Sequence, residues 1–118
     1  MHFKPLSSLK TTDEFTRVYR KGKSYGSELL VLYVLESEKG REAGRLGISI
    51  SKKVGGSVER HRLRRLIKES FRLNKSEWAP NDYVVVARRE AAGRSYQEID
   101  ACLLYLGKKS LTWNKGEN

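Results

Sequence analysis

A chain of 118 residues with 38% hydrophobic side chains has the apolar content for one modest core and too much of it for a disordered segment. Its 24 Lys and Arg against 14 Asp and Glu leave a net charge of +10, which points to a polyanionic partner. No apolar run nears the ~20 residues of a membrane span. The opening Met1-His2-Phe3-Lys4-Pro5 has no signal-peptide core, so a cytoplasmic protein is expected. A lone cysteine, Cys102, excludes an internal disulfide and a Cys-based zinc cluster; among Ile99, Leu103 and Leu106 it reads as a small core residue.

Residues 1–10 carry no periodic pattern and are expected to be an irregular arm. Thr11-Thr12-Asp13-Glu14 is a capping box with Thr11 as N-cap. Phe15, Val18 and Tyr19 then recur at helical spacing until Gly22 stops the helix. The run Leu29 to Leu35 is rich in strand formers. Ser37 to Gly44 reads as a charged loop. Leu46, Ile48 and Ile50 alternate with Gly47, Ser49 and Ser51, predicting a strand with one buried face and one face of small residues open to close approach.

Lys52-Lys53-Val54-Gly55-Gly56 is a turn into a helix from about Val58 to Leu73, with Ser57 as expected N-cap. Leu63, Leu66, Ile67, Ser70 and Phe71 share one face of it, and His61, Arg64, Arg65, Lys68 and Arg72 the opposite one. Asn81-Asp82 is a turn before the strand Tyr83 to Ala87. Ser95-Tyr96-Gln97-Glu98 is a second capping box, opening a helix that buries Ile99, Cys102, Leu103 and Leu106. The tail after Leu111 is polar and expected to fray, with residues 112–118 flexible. The order is α-β-β-α-β-α, a small α+β layer structure in one domain.

The charge excess is concentrated: residues 52–72 hold eight basic and two acidic side chains, whereas residues 26–51 hold three and four. Arg64, Lys68 and Arg72 repeat at i, i+4, i+8, and like charges at that spacing cost an isolated helix a few tenths of a kcal/mol each. Glu69 is placed to offset part of this through Arg65. A mostly uncompensated stripe fits an anionic partner, and backbone amides at the helix start suit a phosphate. A strand and glycine turn, not a second helix, precede this helix, which argues against helix-turn-helix DNA binding. Phe15, Tyr19 and Tyr33 suit stacking on unpaired bases, or ordinary core packing. Asp13-Glu14, Asp82 and Asp100 lie on separate elements, so no two-metal hydrolytic set is evident. A ribosomal or assembly protein would share these features.

Lys52-Lys53-Val54-Gly55 followed by Val58-x-Arg60-x-Arg62-Leu63-Arg64-Arg65-Leu66-Ile67 resembles the signature of the bacterial ribonuclease P protein component. Asp13-Glu14-Phe15 with Val18-Tyr19-Arg20 resembles that family's first helix, and Asp82 to Arg88 its last strand. The similarity spans roughly residues 7 to 111. Gly56 and His61 stand where the family usually has Asn. The resemblance implies the family fold α-β-β-β-α-β-α with a left-handed β-α-β crossover. It implies a protein that assists a catalytic RNA in removing the 5′ leader of precursor tRNA, with magnesium bound mainly by that RNA and no further protein partner required. Carried over by residue, Lys52, Lys53, Arg60, His61, Arg62, Arg64, Arg65 and Lys68 form the expected RNA-binding set. Phe15, Tyr19 and Tyr33 form the expected leader cleft. No side chain is expected to be catalytic.

Overall fold

The computed structural model describes residues 7–36 and 44–115. Its elements run β1 (Ser7–Ser8), α1 (Thr12–Lys21), β2 (Lys23–Gly26), β3 (Leu30–Leu35), β4 (Arg45–Ser49), α2 (Ser57–Leu73), β5 (Asp82–Ala87) and α3 (Tyr96–Lys115). Single 3-10 turns at Lys75–Glu77 and Arg89–Ala91 flank β5. The strands form one sheet in the order β1-β4-β5-β3-β2. β1, β4 and β5 are parallel, while β3 runs antiparallel to both β5 and β2. β4, α2 and β5 therefore make a β-α-β crossover between neighbouring strands.

Strand alternation sorts side chains onto two faces. Leu30, Leu32, Leu46, Ile48, Tyr83 and Val85 face α2 and α3, which close the main core with Leu63, Ile67 and Phe71 from one helix and Ile99, Leu103 and Leu106 from the other. The Phe71 and Trp78 rings stack there at 4.2 Å. Tyr83 donates its hydroxyl to the Ala79 carbonyl, and burial pushes its pKa above the usual phenol range. On the opposite face α1 seals a smaller cluster of Leu9, Val18 and Val84, with Phe15, Tyr33, Leu35 and Val86 only half-buried.

Local chemistry sets the element ends. The Thr11 hydroxyl accepts from the Glu14 amide while Glu14 Oε1 accepts from the amides of Lys10 and Thr11, the expected capping box. Gly22 donates its amide to the Val18 carbonyl, and a side chain there would sit 2.6 Å from that carbonyl oxygen and 2.7 Å from that of Val34. Only glycine lets the chain pass from α1 straight into β2. The second capping box also forms, between Ser95 and Glu98. Asp100 ties α3 to α2, accepting from Ser70 Oγ at 2.7 Å and Asn74 Nδ2 at 3.1 Å.

Several expectations change. Ser7 and Ser8 are not part of an irregular arm: they pair with Arg45 and Leu46, and Leu9 is buried behind them. Two residues give no detectable period, so hydrophobic patterning misses such a strand. β2 escapes the residue pattern, since Lys23-Ser24-Tyr25-Gly26 contains one apolar position, but it supplies the third strand between the first two helices that the resemblance implied. The N-cap of α2 is Gly56, with Ser57 already helical. α3 extends through Lys115. Asp82 is the first residue of β5 and not a turn. Cys102 is half-buried, its sulfur 2.8 Å from Ser27 Oγ. The expected charged loop lies, over residues 37–43, outside the described residues.

Candidate nucleic-acid interface

The basic segment becomes three differently used surfaces of α2 and its approach. Lys52 and Lys53 project from the turn after β4, where the Val54 amide donates to the Ser51 carbonyl. No side chain caps the helix start at Gly56, which leaves first-turn amides open to solvent or an anion. His61, Arg65 and Lys68 are exposed along the outer face, beside Val58, which is 84% exposed. Among the described residues, the side chains of Lys52, Lys53, His61, Arg65 and Lys68 make no hydrogen bond or ion pair.

One flank of α2 turns toward the sheet. Arg64 donates from a terminal guanidinium nitrogen to the Ile48 carbonyl at 3.1 Å. The Leu46 carbonyl, two residues earlier on the same strand, accepts from the Leu9 amide, so both carbonyls point to the β1 side. Arg64 fills the position that a longer β1 would occupy. Between this strand edge and α2 lies a groove of about 330 Å³. Phe15, Leu46 and Phe71 supply its apolar wall, Arg64, Lys68, Arg72 and Lys75 its cations, and none of its described lining residues is acidic. Arg72 is partly neutralised, since Glu69 grips it through two bonds of 3.0 and 2.6 Å. Glu69 thus pairs with Arg72 and not with Arg65, as the i, i+3 geometry of this helix favours.

The aromatics begin at the same groove. Phe15 lies over Gly47, where a Cβ would come within 2.6 Å of its ring. The small-residue face of β4 does admit a close neighbour at Gly47, and that neighbour is the protein's own Phe15. Phe15 and Tyr19 are 6.5 Å apart, and Tyr19 meets Tyr33 edge-to-face at 4.9 Å. The three rings form a half-open row across the sheet face under α1.

The other flank of α2 faces the β5–α3 connection and carries Arg62. Its guanidinium makes a two-bond pair with Glu59, both at 2.9 Å, and also donates to the Arg94 carbonyl at 2.9 Å. Glu59 Oε2 accepts the Gly93 amide as well, at 2.7 Å. The Arg62 hydrogen bonds and that amide hold the Glu59 carboxyl down at about 2. Arg60 is anchored only once, from Nε to the Gly55 carbonyl. A further cation absent from the sequence reading, Arg45, binds Asp82 through two bonds of 3.0 and 2.8 Å and Glu14 through one of 3.0 Å. It joins two carboxylates that sequence placed on separate elements, and fastens the start of α1 to the sheet.

Structure thus brings Phe15, Arg64 and Lys68 into one groove, leaves Lys52, Lys53, His61 and Arg65 free on adjoining surface, and takes Arg62 out of reach of the groove. Arg72 was visible in the i, i+8 stripe. Lys75 lies beyond the helix and had no periodic signal.

A half-open aromatic row beside a one-sided cationic helix, on this mixed five-stranded sheet, defines a small α+β protein with one strongly basic side. The Ribonuclease P family profile matches residues 3–110. A ribonuclease P protein component from Lachnoclostridium phytofermentans is 49% identical over 102 residues, covering 86% of each chain. One from Clostridium botulinum (strain Langeland) is 44% identical over 110 residues, covering 92% of this chain and 97% of its own. Among solved structures, the Staphylococcus aureus RNase P protein superposes with a TM-score of 0.81 at 33% identity, over 87% of this chain and 94% of that one. The Thermotoga maritima RNase P protein gives 0.78 at 28% identity, over 87% and 96%. This chain belongs to the ribonuclease P protein family.

Proposed function

We propose that this chain, as the protein component of the endoribonuclease ribonuclease P, binds the catalytic RNA through the turn before α2 and its outer face. It also holds the 5′ leader of precursor tRNA along the groove and the aromatic row, assisting endonucleolytic formation of the mature tRNA 5′ end. The observation that supports this most is the sorting of α2. Its unpaired basic side chains Lys52, Lys53, His61, Arg65 and Lys68 lie on exposed surface, and the Arg64–Lys68 flank meets Phe15 at a groove with no acidic side chain among its described lining. Arg60 joins the contact set with the donors its single anchor leaves over. Tyr19 and Tyr33 continue the leader path from Phe15.

The chain works as one RNA-binding domain, in the cytoplasm, where its RNA partners are made. Among the described residues no helix is long and apolar enough to cross a membrane. No three acidic, histidine or cysteine side chains gather among them to hold a metal. In this reading magnesium is held by phosphates of the RNA, with the protein's cations lowering the charge repulsion between RNA and substrate. Cleavage needs no protein side chain in this account and no second protein.

Mixing the protein with its catalytic RNA and a precursor tRNA at low magnesium tests this. Cleavage well above that of RNA alone is expected, and cleavage no better than RNA alone overturns it. Arg65→Ala should flatten the slope of log affinity on log salt by about 0.7–0.9, the contribution of one phosphate contact.

A further inference from the structure

The signature that marks this family counts Arg62 with the RNA-facing arginines, yet its surroundings differ from theirs. Both its Nε and one terminal nitrogen are spent on Glu59, and that nitrogen also serves the Arg94 carbonyl. A guanidinium offers five donors in a fixed fork, and here the Nε edge, one of those suited to two-bond recognition of a phosphate, already holds a carboxylate. Glu59 is equally occupied, with one oxygen shared between Arg62 and the Gly93 amide. The pair lies on the α3-facing flank of α2, where Arg62 also borders a shallow hollow with His61 and Arg65, whereas Arg64 and Lys68 line the groove on the opposite flank. What the pair touches is the first turn of α2 and the bend Gly93–Arg94. Gly93 there adopts φ 77, a left-handed conformation suited to glycine.

We propose that Arg62 is a positioning residue, with Glu59 as its built-in counter-ion: together they fix the start of α2 against the β5–α3 bend so that the neighbouring cations meet RNA in register. Arg62 does not contact RNA. Binding of the catalytic RNA, on which this inference rests, then depends on the integrity of the pair and not on the charge of Arg62.

The test measures affinity for the catalytic RNA over a series of salt concentrations, at a temperature where circular dichroism shows every variant folded. Arg62→Ala should weaken binding roughly tenfold at each salt, leaving the slope unchanged, whereas Arg65→Ala flattens it by about 0.7–0.9. Arg62→Lys, which keeps the charge but not the fork, should be as weak as Arg62→Ala. Glu59→Gln should also weaken binding. A phosphate-contacting Arg62 predicts the reverse on each count: a flatter slope for Arg62→Ala, near-normal binding for Arg62→Lys, and tighter binding for Glu59→Gln, which frees the arginine. Any of those results overturns the proposal. So does a lower melting temperature with normal affinity of the folded protein, which reduces the pair to a strut. If Arg62→Ala does not fold, the sign of the Glu59→Gln effect decides alone. Failure of the wild-type protein to bind the RNA would instead count against the proposed function.

Discussion

On the sheet face under α2 and α3, Leu30, Leu32 and Val85 are fully sealed and Tyr83 is 1% exposed, while under α1 Tyr33 and Val86 stay half-buried and Tyr19 is 37% exposed. The same strand alternation feeds both faces. Two helices and an aromatic stack finish the first, and a single ten-residue helix covers part of the second. The two faces are thereby set apart: apolar area is fully covered on one side and left partly exposed on the other. Burial drives folding in proportion to area removed from water, so substitutions on the two faces should fail in different ways.

The largest effect is expected at Phe71→Ala, which removes a ring stacked on Trp78 in the closed core. It should cost about 3–5 kcal/mol of unfolding free energy in denaturant titration, with affinity of the folded fraction for the catalytic RNA, bound on the outer face of α2, nearly unchanged. Arg45→Met comes next, because it strips the guanidinium from Asp82, which is 3% exposed. A loss of about 3 kcal/mol is expected, the lower end for breaking a buried pair, since Arg45 itself is partly solvated. As Arg45 also grips Glu14, amide exchange in α1 should rise with it. A stable Arg45→Met would mean that the remaining surroundings of Asp82 hold its charge and that α1 does not depend on this tie.

On the open face, Phe15→Ala should weaken leader binding by about 1–3 kcal/mol if its ring stacks on a base, with the salt slope unchanged and a smaller stability loss than at Phe71. A changed slope would remove the stacking role and blur the division between faces. The smallest effect concerns acid. The Glu59 carboxyl lies at about 2 in the folded protein, below its ordinary 4.5. Its contribution to stability is therefore complete above pH 4.5 and lost as pH falls toward 2. For so solvated a pair the size should be under about 1 kcal/mol. Comparing acid unfolding of the parent with Glu59→Gln checks it, and the two curves should converge at the low end of that window.

Long periodic elements were legible in the sequence. The leucine face of α2, both capping boxes and β5 declare themselves because each repeats a spacing that one element satisfies by itself. Periodicity could not show β1 or β2, since two and four residues with little apolar content owe their strand state to a neighbour's edge, and β2 was implied by the family resemblance alone. The site divides likewise. The stripe Arg64, Lys68, Arg72 follows from helix geometry alone, and its company with Phe15 rests on a resemblance until α1 is seen lying over Gly47. Which cations are free was not legible at all. Arg62 and Arg65 look alike in sequence, and only the chain's return at Gly93 and Arg94 sets them apart. Arg45 stayed hidden because its partners lie 31 and 37 residues away.

The contact between Arg64 and the Ile48 carbonyl has a bearing on self-association. A strand whose outer side lacks a neighbour offers a row of amides and carbonyls to any other extended chain, a standing invitation to aggregate. β1 covers that row for only two residues, and beyond it a guanidinium takes the next outward carbonyl. Two copies approaching edge to edge would have to displace Arg64 from each while bringing Arg64, Lys68, Arg72 and Lys75 of both together. The charge proposed to draw RNA to this margin thus also opposes one molecule templating on the next.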